Sequence, residues 1–119
     1  MKNEKTGLQR LVAAAGFSIQ GMVAGYRNEA AFRQEVWLLV VLVPVALWFG
    51  DSISESLLLI SSLLALLIVE LLNSAVEAVV DRTGEEYHEL SGRAKDMGSA
   101  AVLLTLITVV LVWVALLTN

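Results

Sequence analysis

The chain has no cysteine, one proline and one histidine in 119 residues. Without cysteine there is no disulfide, no thiolate nucleophile and no Cys-based metal site. Charge is scarce as well: 17% of the residues are Asp, Glu, Lys or Arg, and the net charge is -4. Nucleic-acid partners select clustered basic surface, so this balance argues against one. The two common phosphate-cradling loops, G-x-x-x-x-G-K-[ST] and G-x-G-x-x-G, are absent. The opening MKNEKTGLQRLVAAAGF lacks the compact apolar core of a signal peptide. No internal repeat or low-complexity segment is visible. The two halves do not mirror one another, which argues against an inverted-repeat transporter.

What is abundant is apolar side chain, at 57% of the chain. It is gathered into three runs. Val36 to Gly50 is uncharged, and Ala30 to Phe32 can extend it. Ser56 to Val69 is uncharged and continues through Val76 with Glu70 as its exception. Met97 to Thr118 is uncharged throughout. About 20 apolar residues cross a hydrocarbon core of about 30 Å. A soluble helix needs a polar face, and the third run offers only Ser99, Thr105 and Thr108. The expectation is an all-α membrane protein with transmembrane helices at about 30–50, 56–81 and 97–118, as one domain over 1–119. Pro44 is tolerable inside the first, because neighbouring groups can satisfy the freed carbonyl.

Before the first span, Leu8, Leu11, Val12, Ala15, Ile19, Met22, Val23 and Tyr26 follow helical spacing, while Lys5, Gln9, Arg10, Gln20 and Arg27 fall off that stripe. Residues 6–28 therefore read as an amphipathic helix lying on the membrane surface. Its Gly21-Met-Val-Ala-Gly25 is a small-xxx-small step that permits close helix contact. All eight basic residues lie either before the first span (Lys2, Lys5, Arg10, Arg27, Arg33) or between the second and third (Arg82, Arg93, Lys95). The positive-inside rule then makes the N-terminus and the 82–96 loop cytoplasmic and the C-terminus periplasmic. Trp37, Trp48 and Trp113 stand near span ends, as interfacial aromatics do.

The second span carries acids into the membrane. In IVELLNSAVEAVVD, Glu70, Asn73, Glu77 and Asp81 fall within an arc of about 80° at 100° per residue, with Ser74 at its edge. Counted from Leu57, Glu70 lies about 10 Å below the cytoplasmic interface. A charge at that depth costs at least a few kcal/mol, so an intramembrane acid is either neutralised by a partner helix or functional, as a proton acceptor or ion ligand. The 82–96 segment adds Glu85, Glu86, His88, Glu89, Arg93, Lys95 and Asp96, a mixture suited to phosphate and Mg²⁺. Glu29 and Glu35 add further oxygen ligands. Residue chemistry alone reaches as far as a membrane protein with a cytoplasm-facing acidic site near the lipid interface.

Three stretches carry a resemblance. NEAAFRQE (28–35), VELLNSAVEAVVDR (69–82) and EYHELSGRAKDMGSAAV (86–102) closely resemble the prokaryotic diacylglycerol kinase family, as does AAG at 14–16. That family implies a homotrimeric bundle in the bacterial inner membrane. Each chain has a surface helix and three transmembrane helices and transfers the γ-phosphate of MgATP to diacylglycerol, giving phosphatidic acid. It implies Glu70 as general base, Glu29 and Glu77 as Mg²⁺ ligands, and Asn73 beside the base. Nucleotide contacts would fall to Arg10, Phe17, Glu29, Glu77, Glu86, Tyr87, His88, Lys95 and Asp96. Positions near the lipid would be Arg10, Ala14, Ala15, Gly16, Phe17, Ser18, Ile19, Ala31, Phe32, Arg33, Gln34, Glu35, Trp48, Glu70 and Ser99. Phe17 departs, since relatives commonly carry Tyr there and it lacks the hydroxyl. The 50–56 connection departs too, so lipid contacts there are not carried over. Competing readings are an undecaprenol kinase of the same family, a small ion-coupled transporter using Glu70, and a structural assembly factor.

Overall fold

A computed structural model describes residues 6–84 and 88–119. It holds four helices in chain order: α1 Gly7–Asn28, α2 Ala30–Phe49, α3 Ile53–Arg82 and α4 Glu89–Leu117. Helices α2, α3 and α4 are each long and apolar enough to cross a membrane. Helix α3 is the centre, packed against α4 on one side and α2 on the other, and α1 meets α2 and more sparsely α3. Leu63 and Leu66 of α3 meet Val109 of α4, with Leu39, Leu42 and Trp113 packed around them. The molecule measures 48 × 41 × 22 Å. Its thin dimension is about two helix diameters, so much of each helix surface is bare. Leu38, Val41, Leu64, Ile68, Leu104 and Leu111 all face outward, which suits lipid or further copies of the chain.

Local chemistry fixes the ends. Glu29 alone separates α1 from α2, with φ -117° and ψ 109°. That extended residue turns the chain, so α1 does not continue the axis of α2. Arg33 Nη1 donates to the Tyr26 carbonyl at 2.7 Å and Trp37 Nε1 to the Tyr26 hydroxyl at 3.0 Å. The guanidinium thus satisfies a carbonyl left open at the α1 terminus, where positive charge is favoured. Of the Gly21/Gly25 pair only Gly25 is buried, with Phe32 and Leu71 closing over it. At the start of α3, Ser52 Oγ accepts from the Glu55 N–H at 3.1 Å while Glu55 Oε2 accepts from the Asp51 N–H at 2.8 Å. This is a capping box whose return bond reaches one residue further back than usual. Gly50 closes α2, and Ser56 Oγ donates to the Ala46 carbonyl at 2.7 Å, pinning the hairpin.

Two expectations need adjusting. The polar segment expected as a loop over 82–96 is helical from Glu89 onward. His88 Nδ1 caps it by accepting the Leu90 N–H at 3.1 Å. With 29 residues, α4 is about 43 Å long, so its charged first turns extend past a hydrocarbon core of about 30 Å. Trp113, expected as an interfacial ring, is half-buried and its Nε1 donates to Ser62 Oγ at 3.1 Å. Ser62 in turn donates to the Leu59 carbonyl at 2.7 Å.

Candidate active site

Helix α3 places Glu70, Asn73, Glu77 and Asp81 on successive turns of one face, as the spacing predicts. Glu70 is the deepest, 6% exposed. Across from it α2 presents Glu35, and the two carboxyl groups lie within hydrogen-bond reach. Glu35 Oε1 and Glu70 Oε2 are both buried without an N–H or O–H donor. The α2–α3 contact thus brings two buried carboxyl groups together inside the bundle.

Toward the polar end of α3, Asn73 Nδ2 donates to Glu77 Oε1 at 3.2 Å. Glu77 is thereby held in one orientation, half-buried. Another turn along, Lys95 of α4 places its Nζ 2.9 Å from Asp81 Oδ1. Lys95 is also within electrostatic range of Glu77. The pair is solvent-exposed, so it adds little stability.

Glu29 at the α1–α2 corner lines an open groove of about 740 Å³ between α1 and α3. Ser18, Asn28 and Ser74 are its polar companions, and Met22 and Leu71 are among its apolar walls. Among the described residues, no three carboxylate or imidazole groups converge into a cation cage. Magnesium seldom uses one: it takes one or two carboxylates and completes its shell with water and phosphate oxygens. The hard-oxygen donors of Glu29 and Glu77 fit that habit.

The other expected positions are dispersed within one chain. Arg10, Ala14, Ala15, Gly16, Phe17 and Ile19 are exposed along α1. Ala31 and Gln34 are exposed on α2, while Phe32 is buried at the corner. Arg33 is engaged in closing α1. Trp48 is 83% exposed, and its place in the sequence puts it about 20 Å along α2 from Glu35. Asp96 and Ser99 are exposed on α4. His88 spends Nδ1 on the α4 cap, leaving Nε2 for other partners. Glu86 and Tyr87 lie outside the described residues. The contact between Glu35 and Glu70 had no sequence signal beyond two acids on different spans, because hydropathy does not say which faces meet.

Comparison with known proteins now bears on this arrangement. The family model described as prokaryotic diacylglycerol kinase matches residues 16–117. A diacylglycerol kinase of Escherichia coli (strain K12) is 55% identical over 117 residues, covering 98% of this chain and 96% of its own length. The diacylglycerol kinase of Haemophilus influenzae is 50% identical over 108 residues, covering 91% and 92%. That of Pseudomonas aeruginosa is 51% identical over 113 residues, covering 95% and 92%. The chain belongs to the prokaryotic diacylglycerol kinase family. Membership in this kinase family accounts for acids gathered at the end of a membrane helix without any soluble phosphate loop. The diacylglycerol kinase relatives and this chain share a length that accommodates three membrane-length helices.

Proposed function

We propose that this chain is an ATP-dependent diacylglycerol kinase. It transfers the γ-phosphoryl group to the lipid hydroxyl, giving phosphatidic acid and ADP. The observation that carries the reading is the identity of 55% over 117 residues with a diacylglycerol kinase. The supporting geometry is the α3 face, with a buried carboxyl at one end and a cation-flanked carboxylate at the other.

Phosphoryl transfer asks for positioning and charge neutralisation more than covalent chemistry. Glu70 takes the proton from the lipid hydroxyl as its oxygen bonds to the γ-phosphorus and the bond to the ADP oxygen breaks. Glu35 faces Glu70 and orients its carboxyl. Glu29 and Glu77 would hold the nucleotide's Mg²⁺, which would supply charge neutralisation on the phosphates. Lys95 and Arg10 add positive charge, with Asn73 fixing Glu77. Phe17, Glu86, Tyr87, His88 and Asp96 complete the nucleotide contacts. Residues 14–19, 31–35, Trp48 and Ser99 border the lipid. The chain acts as a single membrane domain over 1–119 in the bacterial inner membrane, as a homotrimer. Its N-terminus and the polar ends of α3 and α4 are cytoplasmic, and its C-terminus is periplasmic. Because α1 residues are dispersed within one chain, neighbouring copies are the source of a closed site.

The test is transfer of labelled γ-phosphate from MgATP in mixed micelles, comparing diacylglycerol, undecaprenol and no added lipid. Label in phosphatidic acid supports the proposal. Label mainly in undecaprenyl phosphate replaces the lipid and keeps the chemistry. No label in either, from folded protein, overturns it.

A further inference from the structure

Asn73 poses an accounting question. Its Nδ2 donates to Glu77 Oε1 at 3.2 Å, which turns its Oδ1 toward α4. There Oδ1 is buried and receives no N–H or O–H donor. What it meets is Gly98 of α4. A Cβ built on Gly98 would overlap Asn73 Oδ1 and stand 3.2 Å from its Cγ and 3.8 Å from its Cβ. No side chain fits between the two helices at that level. The backbone does not call for glycine there, since the glycines with positive φ among the described residues are Gly7 and Gly84. Glycine inside a helix costs about 1 kcal/mol relative to alanine. The residue is therefore explained by the room it leaves for Asn73.

The same stretch of α4 carries Lys95 less than one turn from Gly98, and Lys95 pairs with Asp81 at 2.9 Å. Asn73, Glu77 and Asp81 are spaced four apart on α3. The two contacts therefore share one register between the helices. A methyl group at 98 would drive α4 away or displace the Asn73 amide. Either movement breaks the bond to Glu77 and shifts Lys95 relative to it.

We propose that Gly98 is a positioning residue of the phosphoryl-transfer site: its missing side chain seats the Asn73 amide, which aims the Glu77 carboxylate at the metal–phosphate end of the nucleotide. This rests on the lipid-kinase reading above. The experiment compares wild type, Gly98→Ala, Asn73→Ala and the double variant. It measures kcat and KM for MgATP, binding of the methylene-bridged (β,γ) ATP analogue with Mg²⁺ by calorimetry, and Tm in detergent. Gly98→Ala is expected to lower kcat/KM for MgATP on the order of tenfold to a hundredfold, the usual cost of an ångström's misplacement. Analogue binding weakens in parallel, and KM for diacylglycerol does not move. In the Asn73→Ala background the same change is expected to cost nothing further, because the truncated side chain leaves the space that the methyl needs.

Wild-type kcat/KM and analogue affinity in Gly98→Ala, even with a lower Tm, would reduce Gly98 to a packing glycine and overturn the proposal. Equal losses in both backgrounds would also overturn it, since Gly98 would then act without Asn73. Should Gly98→Ala fail to fold, the double variant must fold as Asn73→Ala does; if it does not, the proposal falls. Wild-type protein that binds the analogue and makes no phosphatidic acid would sink the kinase reading, while the coupling in binding and Tm would still decide the role of Gly98.

Discussion

Glu70 and Glu35 face each other across the α2–α3 contact, and each has a buried carboxyl oxygen that receives no N–H or O–H donor. Glu70→Gln keeps the volume and removes the proton acceptor. It is expected to abolish transfer while leaving binding of the ATP analogue near the wild-type level, measured by calorimetry beside the radiolabel assay. Glu35 separates differently. A hydrogen bond to a charged group is worth about 1.5–3 kcal/mol, so Glu35→Ala should lower kcat roughly tenfold or more by leaving Glu70 unheld. Glu35→Gln still offers an N–H to Glu70 and should avoid most of that loss. If Glu35 served only as lipid contact, KM for diacylglycerol would rise instead and kcat would stand. The acids of α3 were readable in advance from their spacing of three and four. Their partners Glu35 and Gly98 were not, since no periodicity marks a contact between helices.

Helix ends and crossings set where these side chains sit. Gly50 is squeezed against Ser56 Oγ, with the Ala46 carbonyl 2.9 Å and the Ser56 nitrogen 3.1 Å from where a Cβ would stand. Backbone cannot yield as a flexible side chain does. Gly50→Ala is expected to destabilise the α2–α3 hairpin by about 1–3 kcal/mol, the usual range for overpacking. A lower Tm in detergent checks this, and an unchanged Tm would show that the hairpin relaxes freely. Deeper in the bundle, Trp113→Phe removes the donor to Ser62 and should cost about 0.6 kcal/mol, the average for hydrogen bonds between membrane helices. The spans themselves were legible from hydropathy. The helical character of Glu89 to Asp96 was hidden by its charge, which reads as loop until His88 is seen to cap it. Likewise Trp113 reads as an interfacial ring until Ser62 appears opposite.

Three crossings, the number proposed, would put the two ends of the chain on opposite sides of a membrane. The absence of cysteine makes a clean test. Single cysteines at Asp51 and Asn119 should react with an impermeant maleimide from outside intact cells, and one at Thr83 only after permeabilisation. The reverse pattern would invert the proposed orientation. Cross-linking in detergent should yield three copies, and a protein that remained active as a monomer would overturn the composite site. At this scale the sequence determined a great deal by itself: a helical membrane protein, the approximate spans, the surface helix and an acidic face on α3. These are properties of local composition and period, which any stretch of chain carries with it. Tertiary structure alone decided that Glu35 meets Glu70, that Gly98 seats Asn73, that Lys95 reaches Asp81 and that Arg33 closes α1. In a membrane the helices are apolar on nearly every side, so hydropathy cannot tell a packing face from a lipid face; fit between side chains makes that choice.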